Sequence, residues 1–325
     1  MRTTTIIDES ETGNAACPGA ARRAVHWSTS SARLFREKMI DLHTHSDESD
    51  GTLSPGQLVR AAVELGLEAL AITDHDTLAG YDRAAPQARS AGLELVCGIE
   101  LSTKLRHHPG GRGKAVHVLG YFIDGVPTTE FRLWLGGIQH SRRDRNRRLA
   151  ARLESLGLPV TLAEVEKLGR SLAGRPHFAR LMFEKGYVSS AQEAFDLYLG
   201  ESGKAYVERD EPGLAEGIRR IREAGGLPSV AHPARLGRHS DVVDRLIGEM
   251  RGLGLGAIEA YHSDHSPRDV GQFLDLARRL GMAATGGTDF HGGTKPAIAL
   301  GTGIDGNVAV PRAVLERLRE QAIRR

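Results

Sequence analysis

The amino-acid sequence predicts an α/β barrel with a helical insertion, and three features of the chain support this prediction. From Ile40 onward, short apolar runs alternate with segments whose apolar residues recur at helical spacing. Repeated strand–helix units favour a parallel sheet with helices outside it, either open or closed into a barrel. About seven strands within roughly 250 residues favour the closed barrel. A long helical stretch without a strand then interrupts the alternation.

The strands are predicted from apolar runs that end in turn or helix signals. In chain order these runs are MIDLH (39–43), ALAIT (69–73), LELVCGI (93–99), VHVLGYF (116–122), LPSVA (227–231), GAIEAY (256–261) and MAATG (282–286).

The first helix has both of its ends marked in the sequence. Ser54 is a favourable N-cap, and Pro55 suits the first helical position. Gly66 suits the C-cap, and the apolar residues in between form one buried stripe. Further helical patterns at 240–252 and 268–280 precede the last two strands.

The helical insertion covers about residues 128–205, where the pattern predicts three or four consecutive helices and no strand. Their starts or N-caps are expected at Thr128, Thr161, Pro176 and Ser190. We expect these helices to cover one face of the barrel. The barrel domain as a whole is predicted to span residues 39–325, after a disordered extension at 1–38.

Bulk composition argues against several classes of protein. The net charge of +2 is too small to indicate nucleic acid as an obligate partner, and nothing indicates an obligate protein partner. No apolar stretch reaches the roughly 18 residues of a membrane helix, and the N-terminus lacks the apolar run of a secretory signal. Two cysteines, Cys17 and Cys97, provide neither a disulfide framework nor a thiolate metal site. These features fit a cytoplasmic protein.

Polar residues stand at the carboxyl ends of the predicted strands, which is where α/β barrels carry their active sites. His43 and His45 are two apart on a strand, so their side chains project from the same face. Such a pair is weak evidence alone, since histidines often lie on a surface. Asp289 and His291 repeat the spacing after the last strand.

Further polar candidates belong to four other predicted strands: His75 between Asp74 and Asp76, then Glu100, His117 and His232. Each also has a purely structural explanation. His117, inside an alternating strand, could be a core histidine bonded to a backbone carbonyl. Asp50 precedes Gly51 and could form a turn, while Asp74 or Asp76 could cap the next helix. These explanations would have to hold independently at six strand ends, which favours a common functional site instead.

Imidazoles and carboxylates that converge on one rim indicate a metal site with mixed nitrogen and oxygen ligands. The candidate ligands are His43, His45, Asp50, His75, Glu100, His117, His232, Asp289 and His291. One ion takes roughly four to six ligands, so two or three divalent ions are expected. Histidine-rich ligation favours manganese, iron or zinc over magnesium. Several such ions suit phosphoester hydrolysis, because they bind phosphate oxygens, activate a water molecule and stabilise the leaving alkoxide.

The motifs D-L-H-T-H-S, T-D-H-D, G-I-E, A-H-P and T-D-F-H resemble those of the polymerase-and-histidinol-phosphatase (PHP) superfamily, in the same order, over about residues 39–310. The resemblance implies a distorted (βα)₇ barrel with a trinuclear metal centre at its C-terminal rim. It implies one ion on His43, His45, Glu100 and Asp289. It implies a second ion on Asp50, His75 and His291, and a third on Glu100, His117 and His232. Some relatives carry histidine at the position of Asp50, but the S-D-G-T-L-S-P context resembles the subfamily that uses aspartate.

The S-D-G-T-L-S-P start, the helical insertion and the E-A-Y-H segment resemble one branch of that superfamily. The resemblance implies hydrolysis of nucleoside 3′,5′-bisphosphates, or of short 5′-phosphorylated oligonucleotides. A substrate with two phosphates needs cationic or polar groups beyond the metals. The candidates are Arg142, Arg143, Asn146, Arg175, His177 and Arg235. Arginines in HSRRDRNRR could equally form a solvated helix face.

His262 and His265 lie beyond another strand end. They could support the metal ligands or donate a proton to the leaving oxygen, or they could be rim residues without a role. The loop HHPGGRGK is not a phosphate-binding Walker A sequence, since its glycine spacing is wrong and no Ser or Thr follows Lys114. We expect a flexible connection between strands there.

Three other functions compete with nucleotide phosphoester hydrolysis. Histidinol-phosphate phosphatase belongs to the same superfamily. A C–N hydrolase of the amidohydrolase type also uses two histidines on a barrel, but that class often needs a carboxylated lysine, and no lysine ends a predicted strand near the cluster. A non-catalytic metal-binding or nucleic-acid-binding module is the third alternative.

Overall fold

An eight-stranded sheet that nearly closes into a barrel forms the centre of the protein. The computed structural model describes residues 39–105, 113–169, 172–237 and 241–323. The predicted extension at 1–38 lies outside the described residues, as does most of the loop HHPGGRGK.

The strands, in chain order, are β1 (Met39–Thr44), β2 (Ala69–Ile72), β3 (Glu94–Leu105), β4 (Lys114–Phe122), β5 (Leu227–Val230), β6 (Ala257–Tyr261), β7 (Ala283–Gly286) and β8 (Val310–Pro311). Their order in the sheet is β7-β6-β5-β4-β3-β2-β1-β8. The seven predicted strands are confirmed. Sequence analysis missed β8, because a two-residue strand has no periodicity of its own to detect.

The expectation of a parallel sheet is wrong at β4, which runs antiparallel to both β3 and β5. Only residues 106–113 separate β3 from β4, and a parallel connection needs a crossover of a dozen or more residues. Because β4 is reversed, residues near its start, including His117, lie at the same edge of the sheet as the carboxyl ends of the parallel strands.

The barrel closes where β1 meets the segment after β7. The amide of Asp289 donates to the carbonyl of His43 at 2.8 Å, and the amide of His45 donates to the carbonyl of Phe290 at 2.9 Å. Gly287 permits this approach, because a Cβ atom there would lie 2.2 Å from the amide nitrogen of His43. The H-x-H segment at the end of β1 and the D-x-H segment after β7 are therefore neighbours.

The helices are α1 (Pro55–Leu65), α2 (Ala79–Ala91), α3 (Thr129–Ser155), α4 (Leu162–Gly169), α5 (Arg175–Glu184), α6 (Ala191–Ala194), α7 (Leu214–Glu223), α8 (Asp241–Gly252), α9 (Pro267–Leu280) and α10 (Arg312–Ile323). The predicted ends of α1 are confirmed: Ser54 forms a capping box with Gln57, and Gly66 adopts a left-handed φ of 73°. Within the described ranges, every helix is too short or too polar to cross a membrane.

Helices α3 to α6 follow one another without a strand, as expected between β4 and α7. Thr128, Thr161 and Ser190 cap them through their hydroxyl groups, and α5 begins at Arg175, one residue before the expected Pro176. The first half of α3 packs on the barrel core through Phe131, Leu135 and Ile138. Its second half joins a separate apolar cluster formed by the following helices. The middle of α3 therefore passes beside the rim that carries the polar residues.

Candidate metal centre

Glu100 occupies the middle of the rim and is only 1% exposed. Its Oε1 atom lies 2.8 Å from His117 Nδ1 and 2.9 Å from His232 Nε2. Its Oε2 atom lies within 3.4 Å of ring nitrogens of His43, His45 and His75. The two oxygens thus face two different groups of histidines, as a bridging carboxylate would.

Asp289 completes the group around Oε2. Its Oδ1 atom is 3.5 Å from His43 Nε2 and 3.4 Å from His45 Nε2. Ligand atoms of these three residues and Glu100 all lie within 4.8 Å of one another. This set coincides with the first ion site that the family resemblance implied.

A second group surrounds Asp50. Its Oδ1 atom is 3.2 Å from His291 Nε2, and its Oδ2 atom is 3.7 Å from His75 Nε2. The turn explanation of Asp50 holds as well, because the amide of Gly51 donates to the carbonyl of Ser46 at 3.0 Å. The turn aims the carboxylate at the histidines.

A third group consists of His75, Glu100 and His117, with His232 against the same Glu100 oxygen. His117 is not a closed core histidine, since its side chain is 29% exposed and faces the rim. The antiparallel direction of β4 places it there.

The chemistry of these donors fits divalent cations. Burial alone would raise the pKa of Asp50, Glu100 and Asp289, but the facing histidines outweigh it and hold each pKa well below its ordinary value. Burial lowers the pKa of His75 and His232 to about 3, so both rings are neutral. At His43 and His45 the facing carboxylates outweigh burial, and they raise the pKa of His45 to about 9 and that of His43 well above its ordinary value. An ion bound at these two rings would therefore displace a proton from each. Ionised carboxylates and neutral imidazoles are the forms that bind metal.

Two histidine rings at the centre of the rim each have a ring nitrogen that lacks a well-formed hydrogen bond. His45 Nδ1 and His75 Nδ1 are buried without a well-formed hydrogen bond, although Glu100 Oε2 is 3.2 Å from the latter. Buried polar atoms are rarely left in this state. An ion among them would satisfy these donors.

Several acidic residues support the candidate ligands from behind. Glu259, in the middle of β6, accepts from His43 Nδ1 at 2.7 Å and from the amide of His232 at 2.6 Å. Asp41 accepts from the hydroxyl and amide of Thr288. Asp74 accepts from the hydroxyls of Ser46 and Ser49. Sequence analysis assigned no role to Glu259 or Asp41. The sequence of an apolar strand does not indicate which residues a single carboxylate within it contacts.

The suggestion that Asp74 or Asp76 caps the next helix is wrong, since α2 begins only after Leu78. Asp76 instead pairs with Arg142 and Arg209, and it holds a left-handed φ of 55°. Two arginines attract this carboxylate more strongly than a helix end would.

Of the candidate substrate-binding residues on and after α3, some line the cleft and others make contacts elsewhere in the fold. Arg142 and Arg175 line a cleft next to the candidate ligands. Arg143 is half exposed and pairs with Glu166. Asn146 donates to the carbonyl of Ala173, and His177 accepts from the amide of Gly174 at 3.0 Å. The structure therefore brings the first two to the cleft, while the contacts of the other three are structural.

Two of the candidates after β5 and β6, Arg235 and His262, lie near Asp289. Arg235 contacts Asp264 at 2.6 Å and Asp289 at 3.0 Å. His262 Nε2 is 3.6 Å from Asp289, whereas His265 turns inward and bonds the carbonyl of Ala260 at 2.8 Å. Lys295, which sequence analysis missed, also contacts Asp289, at 2.8 Å. Lys295 could have been identified from the sequence by its position, only six residues after Asp289.

The cleft has a volume of about 200 Å³. Its lining combines the candidate ligands Asp50, His75 and His117 with four arginines, Arg142, Arg145, Arg175 and Arg209. Sequence analysis missed Arg145 and Arg209. Arg145 lies three residues after Arg142, so the two share a helix face, and that spacing could have identified it.

Comparison with known proteins agrees with this geometry. The sequence profile of the PHP domain matches residues 41–208. A 5′-3′ exoribonuclease from Haemophilus influenzae is 32% identical over 254 residues, which cover 78% of this chain and 90% of that one. A 3′,5′-nucleoside bisphosphate phosphatase from Chromobacterium violaceum is 32% identical over 254 residues, covering 78% and 87%. A crystal structure described as a metal-dependent phosphoesterase, from Bifidobacterium adolescentis, has a TM-score of 0.73 at 29% identity and covers 87% and 96%.

The fold, the rim and these likenesses together define a metal-dependent phosphoric ester hydrolase. More specifically, the chain belongs to the PHP domain family. The likenesses favour neither a histidinol-phosphate phosphatase nor a non-catalytic module.

Proposed function

We propose that this phosphoesterase removes phosphate from a nucleotide, either a nucleoside 3′,5′-bisphosphate or the end of a short 5′-phosphorylated oligonucleotide. The observation that carries the proposal is the shared carboxylate of Glu100, which joins the groups of histidines into one centre. The names of the relatives from Haemophilus and Chromobacterium support a nucleotide as the substrate.

Three ion positions account for the donors at the rim. The first would be held by His43, His45, Glu100 and Asp289, the second by Asp50, His75 and His291, and the third by Glu100, His117 and His232. Manganese suits this mixture of imidazole and carboxylate, with iron or zinc as alternatives and magnesium less suited. Bound ions would supply positive charge to the phosphate oxygens and lower the pKa of a water molecule.

The protein's own residues position the ions and the substrate. Glu259 fixes the ring of His43 so that Nε2 faces Glu100 and Asp289. Arg142 and Arg175, on the insertion side, offer cationic groups to the part of the substrate that extends from the ions. Arg235 contacts Asp289, one of the proposed ligands. The substrate is thereby oriented before reaction.

We place this activity in one catalytic domain, residues 39–325, with the helical insertion at about 128–205 forming a wall of the cleft. A cytoplasmic location is part of the same proposal, because nucleotides and their degradation products are substrates of the cell interior.

The proposal is tested by measuring phosphate release from adenosine 3′,5′-bisphosphate and from a short 5′-phosphorylated RNA with manganese-loaded protein. We expect His43→Ala to lower kcat/KM by about a hundredfold or more, because this ring contributes directly to an ion site. The matched control is His140→Ala, since His140 is 78% exposed on α3 and its one ion-pair partner among the described residues is Asp144, at 3.5 Å. Equal activity of wild type and His43→Ala, or no release by the wild type, would refute the proposal.

A further inference from the structure

Closure of the barrel beside β1 depends on two short pairings. At its start, β1 pairs with β8 through Met39 and Ile40. At its end, residues 43–45 meet residues 287–291, a junction that we call the seam. Among the described residues the backbone supplies two hydrogen bonds across the seam, whereas β3 and β4 pair continuously over residues 97–105. The backbone alone therefore holds the seam less firmly than the rest of the sheet.

Asp41 adds side-chain hydrogen bonds at this junction. It is fully buried and lies on the same face of β1 as His43 and His45, one alternation further from the rim. Its Oδ1 atom accepts from the amide of Thr288 at 3.0 Å and from the amide of His43 at 3.2 Å. Its Oδ2 atom accepts from the hydroxyl of Thr288 at 2.6 Å and from the amide of Gly301 at 2.9 Å. One carboxylate thus ties β1 both to the segment after β7 and to the loop before β8.

A carboxylate suits this position better than any neutral group of the same shape. Three of the four donors around Asp41 are backbone N–H groups, which cannot accept a hydrogen bond in return. Burial raises the pKa of Asp41, while its hydrogen bonds oppose this effect by favouring the ionised form. An asparagine would offer one accepting oxygen instead of two. Whichever way its amide turned, the NH₂ group would face at least one backbone N–H.

The contacts of Asp41 bear directly on the proposed ion positions. Thr288 precedes Asp289, so its two hydrogen bonds to Asp41 fix the start of the segment that carries Asp289 and His291. The first ion position takes two histidines from the β1 side of the seam and Asp289 from the other side. The second takes His291 from the segment after β7. The third takes its ligands from β3, β4 and the residues after β5, away from the seam.

We propose that Asp41 is a positioning residue that holds the seam closed, so that ligands from its two sides meet at one ion. Without this carboxylate the seam opens locally, and the first and second ions bind more weakly while the third keeps its affinity. The inference rests on the proposed function, because the ion positions are those proposed there. It goes further in making ion binding and barrel closure depend on each other, since each then stabilises the other.

The first test measures manganese affinity by competition with a chromophoric chelator. We expect Asp41→Asn to weaken the ions at the first and second positions about 10- to 100-fold, as for loss of a group that orients metal ligands. The remaining ion should keep its affinity within about twofold, because its ligands share no partner with Asp41. The control is Leu149→Ala, since Leu149 is buried in the apolar cluster of the insertion. That variant should lower the Tm but bind every ion as the wild type does.

Thr288→Val provides a second variant that perturbs the fold less. It removes only the hydroxyl contact with Oδ2 of Asp41 and leaves the amide contact in place. We expect a smaller loss of manganese affinity at the same two positions. In the double variant with Asp41→Asn the losses should be less than additive, because both changes break the same contact.

The second test needs neither ions nor hydrolysis. Hydrogen exchange of the chelated protein reports opening of the seam through the amides of His45 and Asp289, which donate across it. We expect Asp41→Asn to accelerate exchange at these two amides about tenfold or more, as for loss of a hydrogen bond to a charged group. Amides between β3 and β4 should exchange as in the wild type.

The outcomes separate this inference from the proposed function. The role of Asp41 is overturned if Asp41→Asn binds every ion as tightly as the wild type, or if it loses affinity equally at all positions. It is also overturned if exchange rises equally at the seam and between β3 and β4, since Asp41 would then stabilise the fold only in general. If the wild type binds manganese but cleaves no phosphoester, the proposed hydrolysis fails while the role of Asp41 stands.

Discussion

Glu259 shows how a single side chain organises the rim by contacting two of the nine proposed ligands. One of its oxygens accepts from the ring of His43 and the other from the backbone of His232. Donation from Nδ1–H to Glu259 would leave Nε2, which faces Glu100, as the ring nitrogen that binds an ion. The carboxylate thus orients groups of two of the proposed ion sites.

Replacing Glu259 with Gln should therefore weaken metal binding while leaving every candidate ligand in place. We expect the apparent affinity for manganese to fall about 10- to 100-fold, because loss of such a supporting carboxylate leaves the imidazole less basic and less well oriented. Competition with a chromophoric chelator measures this directly. Glu249→Gln is the matched control, since Glu249 is exposed on α8; equal affinities in all three proteins would contradict the assigned role.

At the scale of elements, Asp76 ties the loop after β2 to the helical insertion. Its carboxylate is fully buried and pairs with Arg142 of α3 and with Arg209, which precedes α7. Burial would raise the pKa of Asp76, but the two guanidinium groups outweigh it and keep the carboxyl ionised. Because His75 is its neighbour in sequence, the same contacts hold Arg142 and Arg209 close to the candidate ligands.

Asp76→Asn should accordingly weaken the attachment of the helical insertion to the loop after β2. Loss of the charge leaves Arg142 without its carboxylate partner and Arg209 with Glu211 alone. Breaking a buried pair in this way typically costs about 3–5 kcal/mol. Urea denaturation of the ion-free protein would measure this as a lower free energy of unfolding. Asp144→Asn, which removes an exposed pair with Arg147 on α3, should have little effect. A loss in Asp76→Asn no larger than in that control would mean that the pairing does not hold the insertion.

At the scale of the whole molecule, the sequence predicted the strands and the rim well because both depend on local rules. Apolar runs identify buried strands, and polar residues directly after them identify the functional edge. The direction of β4 was not accessible in this way, since pairing depends on residues distant in the chain. The roles of Glu259 and Arg209 were missed for the same reason: their partners, His43 and Asp76, are far away in sequence.

The barrel topology also explains why the site is continuous. Closure between β1 and the segment after β7 places His43 beside Asp289, and the reversal of β4 brings His117 to the same edge. Both features bring side chains to Glu100, whose two oxygens face two different groups of histidines. Ion binding and phosphoester hydrolysis should therefore depend on the assembled barrel as one unit.

The most direct test of that central claim is an add-back titration, in which phosphate release from adenosine 3′,5′-bisphosphate is followed while manganese is returned to chelated protein. We predict no activity without ions, a rise with added manganese, and saturation at two or three ions per chain, because the rim offers more donors than one ion uses. Full activity of the chelated protein, or saturation at a single ion per chain, would contradict the account.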